Sequence, residues 1–214
     1  MKNIGIINCG MGNLHSVSNA ISNIGFNPVI INASKDLVSF ACSALVLPGV
    51  GSFDLAIDRL EKKNLIEPVK LWIQEDRPFV GICLGLQLLF EGSDEGSKPG
   101  LKIFNGYVSQ FKHSLVKKVP HMGWNKLYFN RFNTIDNLVP HYFHYDLQPW
   151  AYFVHSYYIE PKDCYTFNTT SLTFYGKQKI VSSISYNNIL ATQFHPEKSG
   201  LFGLFILKRF LSSY

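Results

Sequence analysis

The sequence predicts a single α/β domain spanning residues 1–214, built on an open, mixed but largely parallel sheet flanked by helices, with a β-rich second half. The first ninety residues alternate between short, wholly apolar runs and segments whose apolar side chains recur at a period of 3.6. Strands that are apolar throughout indicate a parallel sheet covered on both faces. After residue 100 the runs become aromatic or β-branched and are separated by turn signals, which predicts a meander or a mixed extension of the first sheet.

Four strands are predicted in the first half, at residues 4–7, 29–31, 44–47 and 79–82. A helix follows the first strand because the apolar side chains from Leu14 to Ile24 share one face, and Gly25 ends it. Ser34 is placed to cap a short helix after the second strand. Further helical patterns cover residues 53–60, 68–74 and 84–90, so that strands and helices alternate.

Six strands are predicted in the second half, at residues 107–111, 124–128, 152–158, 172–175, 180–184 and 189–194. Turn signals such as Asn105-Gly106 and Asn187-Asn188 separate them. Residues 200–213 are predicted to form a final helix, with Ser199 as its cap.

The composition limits the classes of function. Hydrophobic residues make up 46% of the chain and charged residues 16%, which allows a substantial core. The net charge is +5, but Lys and Arg are scattered, so no nucleic-acid partner is expected. No run approaches the roughly 18 apolar residues of a membrane span, and the N-terminus does not resemble a signal peptide. We therefore expect a cytoplasmic protein that binds neither nucleic acid nor membrane.

Signatures of metal ions and cofactors are missing from the sequence. The four cysteines have no CxxC or metal-ligand spacing, so each is by default a small buried hydrophobe. The turn Gly10-Met11-Gly12-Asn13 is not a dinucleotide fingerprint, because the third glycine of that motif would fall at His15. We expect no metal and no cofactor.

One cysteine has a second interpretation. Gly81-Ile82-Cys83-Leu84-Gly85 follows an apolar strand and precedes a helical run. A nucleophile on such a strand-to-helix turn is strained, needs small neighbours, and projects from the carboxyl edge of the sheet. The helix start favours a thiolate, and the N–H of Leu84 would face a developing oxyanion. The alternative is a buried cysteine in a tight turn, and this motif alone does not decide between them.

A cysteine nucleophile needs a base, and His195 is the best-placed histidine. It ends a predicted strand and precedes Pro196-Glu197. The proline keeps His195 out of the helical region, so that Glu197 is able to turn back and hold one imidazole nitrogen. Taken alone, this tripeptide is more simply read as a turn beside an unrelated surface carboxylate.

The loop Pro48-Gly49-Val50-Gly51-Ser52 leaves the third strand at the same sheet edge as Cys83, where open α/β folds bind ligands. The glycines allow backbone N–H groups to face a ligand, so Val50 or Gly51 would supply a second oxyanion donor. The alternative is a plain strand-to-helix turn.

Together these segments resemble the class I glutamine amidotransferases, which carry a Cys-His-Glu triad on a flavodoxin-like fold. Within that family they look most like the glutaminase subunits of imidazole glycerol phosphate synthases. The resemblance spans nearly the whole chain and is carried by six segments: 10–13, 48–53, 81–91 (GICLGLQLLFE), 120–125 (PHMGWN), 152–158 (YFVHSYY) and 193–199 (QFHPEKS).

The resemblance implies a role for each matching residue. Cys83 attacks the glutamine amide, His195 shuttles the proton to the leaving ammonia, and Glu197 orients His195. The oxyanion-hole amides are those of Val50 and Leu84. The positions that hold the substrate are Gly51, Gln87, Glu95 and Ser156. The positions that face the synthase partner are Asn13, His121, Trp124 and Lys198. For Trp124 the alternative is a core tryptophan.

The resemblance also implies a partner. Ammonia released into water becomes protonated and loses its nucleophilicity, so it must pass through a closed interface. Family members form a heterodimer with a β/α-barrel cyclase that makes imidazole glycerol phosphate and AICAR in histidine biosynthesis. They are sluggish glutaminases until that subunit is loaded.

Three other functions compete with this one. A paralogous glutaminase would feed ammonia to another amidating enzyme, such as one in surface-sugar synthesis. A Cys-His peptidase or γ-glutamyl hydrolase would have no reason to carry PHMGWN, and a binding protein would not need all three triad residues. Departures from the family pattern leave room for the paralogue, although none touches the triad: Asn8-Cys9 stands where Asp-Tyr is common, Leu86 replaces a frequent Met, and residues 141–150 are unusually aromatic.

Overall fold

A computed structural model describes residues 1–10, 12–129, 149–161 and 168–214. Met11 of the predicted turn, residues 141–148 of the aromatic stretch and Cys164 lie outside the described residues. Within the described helices, none has both the length and the apolar character needed to cross a membrane.

The core of the fold is an eight-stranded mixed sheet in the order β2-β1-β3-β4-β13-β12-β11-β8. The first five strands in this order are mutually parallel, and β12, β11 and β8 continue the sheet antiparallel. The predicted mixed, largely parallel sheet is thus confirmed. The strands are β1 (Asn3–Ile7), β2 (Asn27–Ile31), β3 (Ala44–Gly49), β4 (Phe79–Cys83), β8 (Tyr128–Phe129), β11 (Asn168–Tyr175), β12 (Gln178–Tyr186) and β13 (Ile189–Thr192).

Helices cover both faces of the parallel part of the sheet. They are α1 (Leu14–Asn23), α2 (Ser34–Ser39), α3 (Phe53–Lys62), α4 (Ile66–Gln74), α5 (Leu84–Gln87) and α6 (Gly200–Ser212). Alternate residues of β3 pack on opposite faces: Leu45 joins the core beneath α3 and α4, whereas Val46 joins the core beneath α1 and α6. This two-sided burial explains why these strands read as wholly apolar in the sequence.

Two smaller sheets stand outside the main one. β10 (Tyr157–Ile159), β6 (Tyr107–Gln110) and β5 (Gly92–Ser93) form a three-stranded sheet, while β7 (His121–Lys126) and β9 (Trp150–His155) form an antiparallel pair. We call this pair the β7–β9 ribbon. The prediction of one continuous strand over 124–128 and another over 152–158 is therefore wrong, because each range is divided between two strands in different sheets. The chain changes sheets at Leu127, whose N–H donates to Pro149 O, and again at Ser156.

Three predicted helix ends also need correction. The N-cap of α2 is Ala33 rather than Ser34, and the first turn is closed by the Asp36 carboxylate, which accepts from the N–H groups of Asn32 and Ala33. The helix predicted at 84–90 ends at Gln87. Ser199 does occupy the N-cap of α6, but its hydroxyl binds elsewhere: it donates to His195 O and accepts from Tyr152 N.

Candidate active site

Cys83 is the last residue of β4 and adopts φ 55° and ψ −105°, a conformation that is costly for a residue with a side chain. The backbone is crowded on both sides of it. A Cβ at position 85 would lie 1.8 Å from Leu47 O, and one at position 81 would lie 2.9 Å from Gly85 O. The strained turn with obligatory glycines, inferred from the sequence, is present.

Three strand ends meet at Cys83. In the parallel register of β3, β4 and β13, Gly49 pairs with Cys83, and Thr192 pairs with Ile82. The loop after β3, the turn after β4 and the segment after β13 therefore leave the sheet at the same edge. This geometry brings Val50, Cys83 and His195 together from distant parts of the sequence.

His195 and Glu197 form a buried ion pair. His195 is extended (φ −94°, ψ 97°), and Pro196 opens a short 3-10 helix, Pro196–Lys198, that turns Glu197 back. His195 Nδ1 lies 2.8 Å from Glu197 Oε1, and both side chains are only 3% exposed. Gly203 of α6 permits this turn to pack closely, since a Cβ there would lie 2.0 Å from Pro196 O. The buried Nε2 of His195 has no hydrogen-bond partner among the described residues, so the proton on this nitrogen is not committed to another group.

The electrostatics of His195 favour its charged form. Burial by itself lowers the pKa of an imidazole. Here the Cys83 sulfur and the Glu197 carboxylate outweigh that effect and raise the pKa of His195 to about 10. A histidine charged at neutral pH beside a cysteine sulfur is the arrangement that stabilises a thiolate nucleophile.

A cavity of about 500 Å³ opens above Cys83. Seven of the residues singled out in the sequence line it: Cys83, Val50, Leu84, Gly51, Gln87, Glu95 and Ser156. The structure thus brings the candidate nucleophile, both candidate oxyanion positions and the four candidate substrate positions around one space. Its volume lies in the range of small-molecule binding sites.

Glu95 lies in the cavity wall and is tied to the scaffold. Its Oε2 accepts a hydrogen bond of 2.8 Å from the N–H of Phe53, at the start of α3. Burial raises the pKa of Glu95, the Phe53 amide opposes the rise, and the neighbouring Asp54 carboxylate adds to it. Asp54 accepts from the N–H groups of Ser97 and Lys98 and so anchors the loop that carries Glu95.

Gln193 contacts Cys83 and was missed as a site residue by sequence reasoning. It is fully buried, its Nε2 donates to Cys83 Sγ at 3.7 Å, and its Oε1 accepts from Gln87 Nε2 at 3.1 Å. The available signal was a glutamine directly after an otherwise apolar strand, since a buried glutamine is rare unless it is hydrogen-bonded.

His155 was also missed, and it pairs with His121. His155 Nδ1 donates to Tyr157 O at 2.8 Å, so its Nε2 accepts from His121 Nδ1 at 3.0 Å. His121 Nε2 then accepts from Asn125 Nδ2 at 3.2 Å. Burial lowers the pKa of His121 to about 4, and burial together with the neighbouring His121 lowers that of His155 to about 3. Both rings are therefore neutral.

The residues predicted to face a partner do not all lie at the surface. Trp124 is 53% exposed on the outer face of the β7–β9 ribbon, together with Met122 and Trp150. Lys198 lies 5.8 Å above the Tyr152 ring on the same side. Asn13 caps α1 and lines a small cavity of about 80 Å³ with His195 and Lys198. His121 departs from the expectation, because its ring is 3% exposed and packs between Phe153 and Tyr175.

A metal centre finds no support in the described part of the chain. No group of three or more His, Cys, Asp or Glu side chains there is arranged to hold a metal ion.

Comparisons with known proteins agree on a family. Residues 5–213 match the model of the family described as glutamine amidotransferase class-I. The chain is 44% identical to the imidazole glycerol phosphate synthase subunit HisH of Thermosynechococcus vestitus, covering 98% of this chain and 96% of that one. It is also 44% identical to the subunit of the same name from Trichodesmium erythraeum, covering 99% and 95%. Among solved structures, PurLQS from Thermotoga maritima matches in fold with a TM-score of 0.74, at 14% identity, covering 99% of this chain and 98% of that chain.

Proposed function

The chain belongs to the glutamine amidotransferase class-I family, and we propose that it is the glutaminase subunit of an imidazole glycerol phosphate synthase. It hydrolyses glutamine to glutamate and ammonia in the cytoplasm and delivers the ammonia to a cyclase subunit in histidine biosynthesis. The observation that carries the proposal is the strained Cys83 in the wall of a cavity of about 500 Å³, next to the buried His195–Glu197 pair. The full-length identity to HisH subunits supports the choice of pathway.

The reaction begins with attack of the Cys83 sulfur on the side-chain amide carbon of glutamine. The carbonyl electron pair moves to oxygen, and the resulting oxyanion is stabilised by the N–H groups of Leu84 and Val50. His195 gives its Nε2 proton to the leaving nitrogen, the C–N bond breaks, and ammonia departs from a thioester. Glu197 holds the ring in the tautomer and orientation that this transfer requires.

Water then completes the cycle. Neutral His195 takes a proton from water as it attacks the thioester carbonyl, a second oxyanion forms in the same place, and the C–S bond breaks. The electron pair returns to the Cys83 sulfur and glutamate leaves. The carboxylate of Glu95 suits the substrate ammonium group, while Gly51, Gln87 and Ser156 line the remainder of the cavity.

The β7–β9 ribbon supports a partner-dependent activity. Its outer face presents Trp124 and Trp150, which are unusual as exposed residues and typical of interface anchors. Its backbone also contacts the catalytic groups, because Tyr152 O accepts from His195 N and Val154 O accepts from the Cys83 thiol. We infer that a β/α-barrel cyclase docks on this face in a heterodimer, so that ammonia passes to it without entering bulk water.

The test is a glutaminase assay with and without the cyclase from the same genome. Cys83→Ala is expected to lower kcat on the order of a millionfold, since the members of a triad act as a unit. Cys42→Ala is the matched control, because Cys42 is equally buried but lies outside the site, and its activity should remain near wild type. Retained turnover in Cys83→Ala would remove the central assignment.

The pathway is tested separately. The cyclase that co-purifies with the chain is identified, and the effect of deleting the gene on growth without histidine is measured. Histidine auxotrophy and a cyclase of the imidazole glycerol phosphate type support the proposal. Normal growth, with a different amidating enzyme as the bound partner, would instead assign the chain to a paralogous pathway.

A further inference from the structure

We infer that the side-chain amide of Gln193 is a catalytic hydrogen-bond donor to the Cys83 sulfur, stabilising the thiolate that attacks glutamine and that later leaves the thioester. The inference deepens the proposed glutaminase function and rests on it. Gln193 contacts the reacting atom itself, with its Nε2 3.7 Å from Cys83 Sγ.

The orientation of the Gln193 amide is fixed by its hydrogen-bond partners. Tyr157 O is a carbonyl and only accepts, so the Gln87 atom 3.0 Å from it must be the amide nitrogen. That same nitrogen lies 3.1 Å from Gln193, so the facing Gln193 atom must be the oxygen. The nitrogen of Gln193 is then left pointing at the sulfur. A flipped amide would place two donors or two acceptors against each other.

The polar surroundings of the sulfur make such a donor necessary. The cysteine is 4% exposed, which leaves little access for water. Val154 O accepts a hydrogen bond from the thiol and would repel a thiolate. The charged group next to the sulfur is His195, which is paired with Glu197. His155 and Glu95 line the same cavity as Cys83, and His155 is neutral. Gln193 is the neutral donor in this set, and a donor to an ionised group is stronger than one to a neutral group.

This network also changes the role of Gln87. Both N–H groups of its amide are used, one on Tyr157 O and one on Gln193 Oε1. Gln87 thus acts as a positioning residue for Gln193, in addition to lining the substrate cavity. Hydrogen bonds from Tyr157 O through Gln87 to Gln193 thus orient the amide N–H of Gln193 toward the Cys83 sulfur.

The experiment measures alkylation of Cys83 by iodoacetamide in the full-length chain across pH, with Cys83→Ala as the blank for the other cysteines. Gln193→Met keeps the length of the side chain and removes the donor. It is expected to slow alkylation at pH 7 by about tenfold or more and to move the pH midpoint of the reaction upward, as loss of a hydrogen bond to a charged group implies. Gln193→Glu places an acceptor against the sulfur and should have a larger effect in the same direction.

Controls separate this role from a structural one. Ser182→Ala alters a buried hydroxyl on the strand beside Gln193 that has no hydrogen-bond partner among the described residues, and should leave alkylation unchanged. Gln87→Leu leaves Gln193 in place but frees its amide, and should slow alkylation to an intermediate rate. This variant tests the idea even if the Gln193 variants do not fold.

Two outcomes would overturn the inference. One is a Gln193→Met variant that is folded, as judged by circular dichroism, and whose Cys83 is alkylated at a rate within twofold of wild type. The other is the same result for Gln87→Leu. In the complex with the cyclase, Gln193→Met should lower kcat for glutamine and leave KM nearly unchanged. Alkylation needs no substrate, so a wild-type chain that fails to hydrolyse glutamine yet shows these alkylation shifts would refute the proposed function and leave the hydrogen bond established.

Discussion

Two buried pairs of side chains near Cys83 contain histidine, one with a carboxylate and one with a second histidine, and they have opposite charge states. His195 is paired with Glu197, and its pKa is raised to about 10. His155 is paired with His121, and their pKa values are lowered to about 3 and about 4. The rings of all three histidines are almost equally buried.

Burial alone therefore does not set the charge of a histidine in this chain; the groups beside the ring do. Loss of water penalises the charged form in every case. A carboxylate and a nearby sulfur repay this penalty for His195. His155 meets a carbonyl on one nitrogen and another imidazole on the other, so protonating either ring of that pair would place two donors face to face. One pair is built to move a proton and the other to hold the β7–β9 ribbon in place.

The largest expected effect comes from removing the carboxylate. Glu197→Gln retains a hydrogen-bond acceptor but not the charge, so the pKa of His195 should fall and the correct tautomer should be lost. We expect kcat for glutamine to decrease about 10³- to 10⁴-fold, as for other triads deprived of their acid. Glu67→Gln, on the exposed surface of α4, serves as the control in the same steady-state assay. A loss below tenfold would mean that the charge state of His195 does not depend on Glu197.

The next effect concerns stability below neutral pH. His121 and His155 bind protons in the unfolded chain below about pH 6.5, but in the folded chain only below about 4 and 3. Acid therefore favours unfolding, and the free energy of unfolding should fall by about 1.4 kcal/mol per pH unit for each ring between these limits. Urea titrations at pH 6.5 and 5.5 measure the difference, about 2 kcal/mol for the two rings, because the unfolded rings are already half protonated at pH 6.5.

The opposite sign applies to His195. Its folded pKa lies above the unfolded value of 6.5, so the folded chain holds the proton more tightly and the associated stability is lost as pH rises from 6.5 toward 10. Stability should therefore peak near pH 6.5. The double variant His121→Gln with His155→Gln should lower stability overall while flattening the acid side of the curve. An acid slope unchanged in that variant would assign the effect to other groups.

The smallest expected effect comes from converting the neutral pair toward the charged one. Asn125→Asp places a carboxylate beside His121 Nε2, in imitation of Glu197 beside His195. The pKa of His121, followed by NMR, should rise from about 4 toward its ordinary value, and the acid loss of stability at pH 5 should shrink by roughly 1–2 kcal/mol. Lost hydrogen bonding to Phe174 O should cost about 1 kcal/mol at neutral pH.

A matched surface substitution is available for this last test. Asn19 Nδ2 lies 3.0 Å from His15 Nε2 in an exposed pair, so Asn19→Asp makes the same chemical change in water. Solvent screening should leave the acid stability curve of this variant close to wild type. Equal responses in the buried and exposed variants would show that burial adds nothing to the coupling.

Features of the fold and the site were predictable from the sequence where neighbouring residues determine them, and were not where distant residues do. The strained turn at Cys83 and the turn that brings Glu197 back to His195 were predictable, because closely spaced glycines and a proline impose geometry locally. The parallel strands were predictable because burial on both faces leaves a wholly apolar run. The breaks at Leu127 and Ser156 were not, since changing sheets requires knowing which distant strand each segment joins.

The same limit explains the misplaced and missed polar residues. His121 lies in a segment that alternates in exposure, and only the pairing of β7 with β9 shows that its ring faces inward, against His155. The orientation of Gln193 depends on Gln87, which is 106 residues away in the sequence. It also depends on the backbone carbonyl of Tyr157, and a backbone group cannot be recognised from the type of residue that carries it. The cap of α2 was missed because Asp36 closes the turn from within the helix, without a Ser34 side chain.

The close approaches at Gly85 and Gly203 have a consequence for how this chain tolerates mutation. Neither residue has a functional group, yet neither position has room for even a methyl side chain. At Gly85 the methyl carbon would collide with the backbone oxygen of Leu47, and at Gly203 with that of Pro196, next to His195. In a saturation library selected for function, both codons should reject all other amino acids as strictly as the triad codons do. A ranking of positions by how few substitutions they tolerate would thus place two glycines beside the triad residues. Only the backbone geometry shows that the glycines are required for steric reasons and the triad residues for chemical ones.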